Sequence, residues 1–131
     1  MLMLSTRKKG GISMEYKVTN ENGTIFIDED VMLKLVGYAA LECYGIVAMS
    51  SRQRAKDGLV QWLGRENLSK GVSIHLVEGD QLDVDLYIIV EYGISVAEVC
   101  KTMVEVVRYK LESMTGAKVR AVNITVDGIR I

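Results

Sequence analysis

The sequence predicts an α+β domain with two main helices on one face of a small, mainly antiparallel sheet, in the order β-α-β-β-α-β. Three observations predict this two-layer sandwich: two segments with helical apolar spacing, two alternating segments joined by a turn, and one strand-like segment at either end of that series. Each helix has a single apolar stripe and the strands have a more polar second face. Both helices therefore pack most economically on the same side of the sheet.

Length and charge restrict the classes of protein to consider. The chain has 131 residues, which suits one domain with its own core. Its 16 basic and 17 acidic side chains give a net charge of -1, so no overall field attracts nucleic acid or an anionic membrane. The start, MLMLSTRKKGG, resembles neither a signal peptide nor an anchor. We expect residues 1–13 to be a flexible extension, or alternatively a basic arm with its own role, and residues 14–131 to be a single domain.

The first strand and helix follow from the phrase NGTIFIDED. A turn signal precedes a short β-rich run, and Asp28 is then placed to cap a helix. Gly45 is well placed to end that helix. Its apolar residues recur at steps of three and four, which makes Cys43 a core residue rather than a reactive thiol. This apolar face comprises Met32, Leu35, Val36, Ala39, Ala40 and Cys43.

The segment from residue 45 to residue 70 is the least regular. Leu59, Trp62 and Leu63 have helical spacing, which predicts a short amphipathic helix that presses Trp62 on the domain, on a partner or on a membrane surface. The following stretch, GRENLSKGV, has neither the glycine spacing nor the strand-to-helix context of a phosphate loop. It is interpreted as a helix end, a polar connector and the entry to a strand.

Residues 72–91 predict a hairpin with two distinct faces. The core face should hold Val72, Ile74, Leu76, Val84, Leu86, Ile88 and Val90. The other face should hold Ser73, His75, Val77, Asp83, Asp85, Tyr87, Ile89 and Glu91. Asp83 and Asp85 could be imagined as an acid/base pair, but a solvated strand face is the favoured interpretation.

The second helix is predicted to begin with a capping box formed by Ser95 and Glu98 and to end at Gly116. Its apolar stripe should comprise Val96, Val99, Cys100, Met103, Val107, Leu111 and Met114. The last strand follows, with Val122, Ile124 and Val126 in one phase.

No pattern in the sequence indicates catalysis, a cofactor or a metal ion. His75 is the only histidine, and Cys43 and Cys100 have no nearby cysteine or histidine, which suits a reducing cytoplasm. We therefore expect no catalytic, cofactor-binding or metal-binding residues.

Four stretches together resemble the alkaline shock protein family, the envelope stress response proteins of Gram-positive bacteria. They are GTIFIDEDVMLKLVGYAALECYGIVAM, LGRENLSKGVSI, VDLYIIVEYGISVAEV and MTGAKVRAVNITVDGI, and the resemblance covers residues 14–131. The chain is similar to the short, single-domain members. The resemblance implies a non-catalytic cytoplasmic protein tied to cell-envelope homeostasis, held at the inner face of the membrane through a membrane-anchored partner protein. It also implies a functional link to a fatty acid kinase.

Two functions are considered. The first is a protein-interaction or scaffold module, forming homo-oligomers or binding a protein partner, in which Val77, Tyr87, Ile89 and Phe26 give the sheet face apolar area and Trp62 adds to it. The alternative is an RNA-binding accessory protein that uses a basic strip within residues 52–70. That strip comprises Arg52, Arg54, Lys56, Arg65 and Lys70. Nucleic acid is the less expected partner because the acidic sheet face would repel phosphate.

Overall fold

A computed structural model describes residues 3–9, 13–51, 61–63, 69–77 and 80–131 of the chain. The elements are β1 (Met3–Lys9), β2 (Ser13–Asn20), β3 (Gly23–Asp28), α1 (Glu29–Leu41), β4 (Ile46–Ser51), β5 (Gln61–Leu63), β6 (Val72–Val77), β7 (Gln81–Glu91), α2 (Val96–Thr115) and β8 (Lys118–Arg130). Both helices bury their apolar sides in one core with β2, β6 and β7. The predicted α+β class, with two helices on a mainly antiparallel sheet, is confirmed.

Strand β7 is the centre of the five-stranded sheet. It pairs in parallel with β8 along residues 81–91. On its other edge it pairs antiparallel with β6 over residues 81–86 and with β4 over residues 88–90, so those two strands lie end to end. β5 extends the sheet beyond β4, and a second sheet has the order β1-β2-β3.

The two strands that share an edge of β7 meet at Gly71. A Cβ added to Gly71 would lie 2.8 Å from the Cβ of Met49 and 3.0 Å from the carbonyl oxygen of Ser50. The first distance is shorter than Cβ atoms tolerate, and the second is tighter than most Cβ contacts in proteins. Glycine is therefore needed where β6 begins beside β4.

Helix α1 forms as the sequence predicts. The carboxylate of Asp28 accepts a hydrogen bond from the backbone N–H of Asp30 at 2.9 Å, which satisfies one of the free donors of the first turn. Its predicted apolar residues are buried, apart from Leu35, which is half-buried. Gly45 has a φ of +90° and lies in the turn that follows, while the helix itself ends at Leu41.

Residues 3–9, which the sequence predicts to belong to a flexible extension, form strand β1. β1 pairs antiparallel with β2 throughout, from Met3 opposite Thr19 to Lys9 opposite Ser13. That prediction rests on Met14 as the start of the first sequence that looks foldable, but a strand at the edge of a sheet accepts charged and polar side chains. The division into an extension and a single domain from residue 14 stays a prediction.

The segment between α1 and the hairpin also differs from its prediction. Ile46–Ser51 is a strand, and Gln61–Leu63, where a short helix was predicted, is a strand paired with β4. The predicted helix rests on the spacing of three apolar residues. Tryptophan and leucine at this spacing are equally compatible with a strand. Pairing with β4 therefore overrides the local pattern.

The alternation of the central hairpin is confirmed except at one residue. Every predicted core-facing residue of β7 is completely buried, and those of β6 are buried or half-buried. Ile89 is also completely buried although it belongs to the opposite face. β8 shifts register beside it, so that Gly128 lies opposite Ile89. A Cβ on Gly128 would lie 3.0 Å from Cδ1 of Ile89, so the glycine makes room for this side chain.

Helix α2 ends at Gly116, as predicted, with a φ of +77° and an N–H donated to the carbonyl of Glu112. Its predicted capping box is wrong, because the side chain of Ser95 makes no capping hydrogen bond. The predicted apolar stripe is wrong at both ends: Val96 and Met114 are exposed. They lie in the first and last turns, beyond the part of the helix that the sheet and α1 cover.

The central and terminal parts of this stripe should differ in their effect on stability. We expect Leu111→Ala, at a position that is 1 % exposed, to lower the free energy of unfolding by about 2–5 kcal/mol. Met114→Ala, at a position that is 63 % exposed, should change it by less than about 0.5 kcal/mol. Urea titration measures both values. Equal losses would contradict the placement of the helix.

Tyr16 should give the stability an alkaline pH dependence. Its hydroxyl donates to the carbonyl of Ile74 at 3.2 Å, and burial, assisted by the charge of Glu29, raises the pKa of Tyr16 to about 12. The unfolded chain loses this proton near the ordinary pKa of about 10. The stabilisation is thus complete below pH 10 and is lost as the pH rises towards 12.

The free energy of unfolding of Tyr16→Phe should therefore fall less than that of wild type between pH 10 and 12. Below pH 10 it should be about 1 kcal/mol lower than that of wild type, because a buried hydrogen bond is lost. Denaturation at several pH values measures the slope. Tyr109→Phe, on the exposed side of α2, is the control for removal of one phenol. An unchanged slope in Tyr16→Phe would contradict this assignment.

Candidate interaction surface

The outer face of β6, β7 and β8 carries the acidic residues that the sequence places there. The guanidinium of Arg120 binds both carboxylate oxygens of Asp83, with its Nε 2.9 Å from Oδ1. This bidentate hydrogen bonding holds the pKa of Asp83 below its usual range. The contact depends on β8, because a bulge in its register at Arg120 occurs beside Asp83.

Asp85 and Glu91 also have partners on the same face. The side-chain amide of Asn123 donates to Oδ1 of Asp85 at 3.0 Å, and Nε2 of His75 lies 3.5 Å from Oδ2. Arg130 pairs with Glu91 at the far end of the strands. Asp83 and Asp85 thus take part in separate cross-strand pairs, which is the arrangement expected of a solvated strand face.

The residues predicted to bind a partner are not brought together. Val77 lies at the end of β6 opposite Gln81, and Tyr87 is six residues further along β7, about 20 Å away at the usual rise of a strand. Both are half-buried, whereas Ile89 presents no area to a partner in this conformation. Trp62, in β5, lies opposite Ser50 of β4, and the side chain of Trp62 is outside the described part of the structure. Their role in binding stays a prediction.

The structure describes Phe26 but only part of the predicted basic strip. Phe26 is exposed, but it belongs to β3 in the other sheet. Of the basic strip, Lys70 is exposed on the short turn before β6, and Arg52, Arg54, Lys56 and Arg65 lie outside the described residues. The RNA-binding alternative therefore stays untested.

One end of the molecule exposes large apolar side chains that the sequence reasoning did not select. Strands β7 and β8 finish there, joined by a hydrogen bond from the N–H of Tyr92 to the carbonyl of Arg130 at 3.1 Å. The N–H of Glu91 donates to the carbonyl of Gly45 at 2.9 Å, which brings the end of α1 alongside. We call this region the end surface; its exposed residues are Tyr44, Tyr92, Val96 and Ile129.

A small cleft opens beside Tyr44 within the end surface. It has a volume of about 160 Å³ and is lined by Cys43, Tyr44, Glu98, Val99 and Thr102. Gly45 borders it at a positive φ, and a Cβ there would lie 2.9 Å from Cδ1 of Ile94. Glycine is therefore favoured at this turn by its positive φ, and the side chain of Ile94 packs closely against it.

The two thiols near this cleft are structural. The thiol of Cys43 donates to the carbonyl of Ala39 at 3.7 Å, and burial, with the charge of Glu42, raises its pKa. Burial also raises the pKa of Cys100. A raised pKa leaves little thiolate near neutral pH, so neither residue has the character of a nucleophile.

A signal for the end surface does exist in the sequence. Tyr44 and Tyr92 each precede a glycine that adopts a positive φ, so both tyrosines belong to exposed turns. A large aromatic residue in a turn has little packing reason to be there, and aromatic residues are enriched in protein interfaces. From the sequence, Gly45 is predicted only to end a helix.

The described ranges contain no group of three or more His, Cys, Asp and Glu residues that could hold a metal ion. Neither α1 nor α2 combines the length and the apolar character that crossing a membrane requires.

The pairing of Asp83 can be tested by titration. In Arg120→Gln the pKa of Asp83 should rise towards its ordinary value of 3.8, because the charged hydrogen bonds are lost. The pair stabilises the fold above that value and ceases to do so as the pH falls through the lowered pKa. Carbon-detected NMR of the carboxyl group measures it. Arg130→Gln, which removes the contact with Glu91, should leave Asp83 unchanged; an equal rise there would contradict the pairing.

Several known proteins are similar to this chain over most of its length. The uncharacterized protein YloU of Bacillus subtilis is 40% identical over 118 residues, which cover 90% of this chain and 98% of that protein. The uncharacterized protein Spy1614 of Streptococcus pyogenes is 34% identical over 118 residues, 90% of this chain and 97% of that protein. The uncharacterized protein YqhY of Bacillus subtilis is 32% identical over 108 residues, 82% and 78% of the two chains.

No solved structure shows significant similarity to the chain. A family model matches residues 17–131, which include every element from β3 to β8. The chain therefore belongs to the alkaline shock protein 23 family, which is described as having a cell envelope-related function.

Proposed function

We propose that this protein is a non-catalytic interaction module of the cell envelope and that its end surface binds a membrane-anchored protein partner. The observation that carries the proposal is the group of exposed apolar residues at one end. Tyr44 is 86 % exposed and Tyr92 is 71 % exposed, both in tight turns. Large exposed apolar side chains that cluster beside a cleft are a feature of protein-binding surfaces.

The chemistry of the end surface favours a protein ligand. A tyrosine supplies a large contact area with few rotatable bonds, so little conformational entropy is lost on binding. The cleft beside Tyr44, at about 160 Å³, is close in volume to cavities that accommodate a benzene molecule, which is enough for one apolar side chain of a partner. Glu98 at its margin, on the first turn of α2, favours a partner with a basic residue next to that apolar one.

Several properties support a non-catalytic role. The carboxylates of the sheet face are engaged by Arg120, Asn123 and Arg130, and burial raises the pKa of both thiols. The cell envelope-related description of the family supports attachment at the membrane, and the partner would supply the anchor from the cytoplasmic side. A functional link to a fatty acid kinase stays a prediction that the same partner would help to decide.

The proposal is tested by affinity capture from membranes of the native cell. We expect wild type to retain a protein with a membrane-spanning segment. The double variant Tyr44→Ser, Tyr92→Ser should reduce that capture more than tenfold, because interface tyrosines of this kind contribute about 2 kcal/mol or more. Quantitative mass spectrometry measures the retained protein.

Tyr109→Ser is the matched control, since Tyr109 is 72 % exposed on α2 away from the end surface. It should capture the partner as wild type does. Equal capture by the double variant would exclude the end surface. Recovery of RNA in place of a membrane protein, weakened by Lys70→Glu, would favour the RNA-binding alternative.

A further inference from the structure

β8 forms an edge of the five-stranded sheet. Over its 13 residues it pairs only with β7 among the described strands. An edge strand presents a row of backbone donors and acceptors that can pair with another chain. Two register shifts beside β7, at Arg120 and at Asp127, leave a regular stretch between them from Ala121 to Val126.

The core-facing residues of this regular stretch are incompletely covered. Val122, Ile124 and Val126 are half-buried, although their neighbours in β7, Val84, Leu86 and Ile88, are completely buried. The sheet thus stops with apolar side chains still partly in contact with solvent. Another strand added at this edge would cover them.

Helix α2 carries a charged stripe on the side next to β8. The N–H of Val119 donates to Oε2 of Glu112 at 3.0 Å, and Nη2 of Arg108 donates to the carbonyl of Arg120 at 3.2 Å. Lys101 and Glu105 occupy the same side of the helix at 3.6 residues per turn and are exposed. The stripe therefore runs along the edge strand.

The order of charges in this stripe is self-complementary. From Lys101 through Glu105 and Arg108 to Glu112 the signs are positive, negative, positive and negative. Read in the opposite direction the signs are inverted, so an antiparallel copy of the stripe presents an opposite charge at each position. This property distinguishes a second copy of the chain from an arbitrary peptide as the ligand of the edge.

We propose that two copies of this chain pair antiparallel through β8, about a two-fold axis at Asn123. Val122 then lies opposite Ile124 of the second copy, and Ala121 lies opposite Thr125 of the second copy. If the two strands stay paired in this register beyond these residues, no two like charges lie opposite each other. The sheets of the two copies then form one continuous sheet. The two α2 helices face each other, with Lys101 near Glu112 of the second copy and Glu105 near Arg108 of the second copy. This dimer deepens the proposed interaction function and rests on it.

The charged stripe is tested by mixing two variants. Glu105→Lys alone would place positive charges against Arg108 of the second copy, and Arg108→Glu alone would place negative charges against Glu105. We expect wild type to be a dimer by light scattering, and each variant to dissociate at least tenfold more readily. An equimolar mixture should recover the dimer, because every facing pair is then of opposite sign. Thermal unfolding of each variant by circular dichroism shows that it is folded.

The register is tested by disulfide formation. Asn123→Cys places two sulfurs directly opposite each other, at a Cα separation of about 5 Å that suits a disulfide. Thr125→Cys, two residues away on the same face, places them about 13 Å apart along the strands and is the matched control with the same native cysteines. Mild oxidation should cross-link the first variant and not the second.

A wild-type monomer at about 100 μM, a mixture that does not reassociate, or equal cross-linking of the two cysteine variants would overturn the dimer. A monomer that still captures the membrane protein would refute the dimer and leave the proposed function intact. A dimer that cross-links at Asn123 but captures no protein supports the edge pairing and refutes the membrane-partner proposal.

Discussion

The fold depends on the complete burial of one strand. β7 is paired along both edges, covered by α1 and α2 on one face, and buried without exception at its core-facing positions from Leu82 to Val90. A strand with no free edge and a dry inner face fixes the positions of its neighbours. The hairpin with β6, the end of α1 and the crossover to β8 are all held through their pairing with this strand or packing on it.

The outer face of the same strand has a different character. Its carboxylates are paired with side chains of β8, which neutralises most of their charge and ties the parallel pair together. Exposed apolar side chains lie instead in other parts of the molecule, including the end surface, and those at the edge of the sheet are half-buried. The molecule thus separates a compensated polar face from the end surface and from the edge of the sheet, and it belongs to a family that is described as having a cell envelope-related function.

The parts of the fold that the sequence predicts well are those in which local pattern and tertiary packing agree. The stripe of α1, the alternation of β6 and β7 and the stop at Gly116 are of this kind. The errors occur where tertiary contacts decide. The spacing of Leu59, Trp62 and Leu63 could not reveal that β4 would pair with residues 61–63. No alternation rule predicts the burial of Ile89, which depends on Gly128 in β8. The end surface could not be assembled from the sequence because Tyr44 and Tyr92 are brought to the same end of the molecule only by the hydrogen bonds of Glu91 with Gly45 and of Tyr92 with Arg130.

The contact at Gly71 has a consequence for how the sheet can vary. β4 and β6 occupy a single edge of β7 in succession, and the backbone of Gly71 fills the gap between them against Met49 and Ser50. A larger residue would fit only if β4 or β6 moved, for example along β7. Because a slide of one residue turns every side chain to the opposite face, it would expel the core of that strand into water. Gly71 therefore lets β4 and β6 lie end to end along β7 and fixes the position of one strand relative to the other.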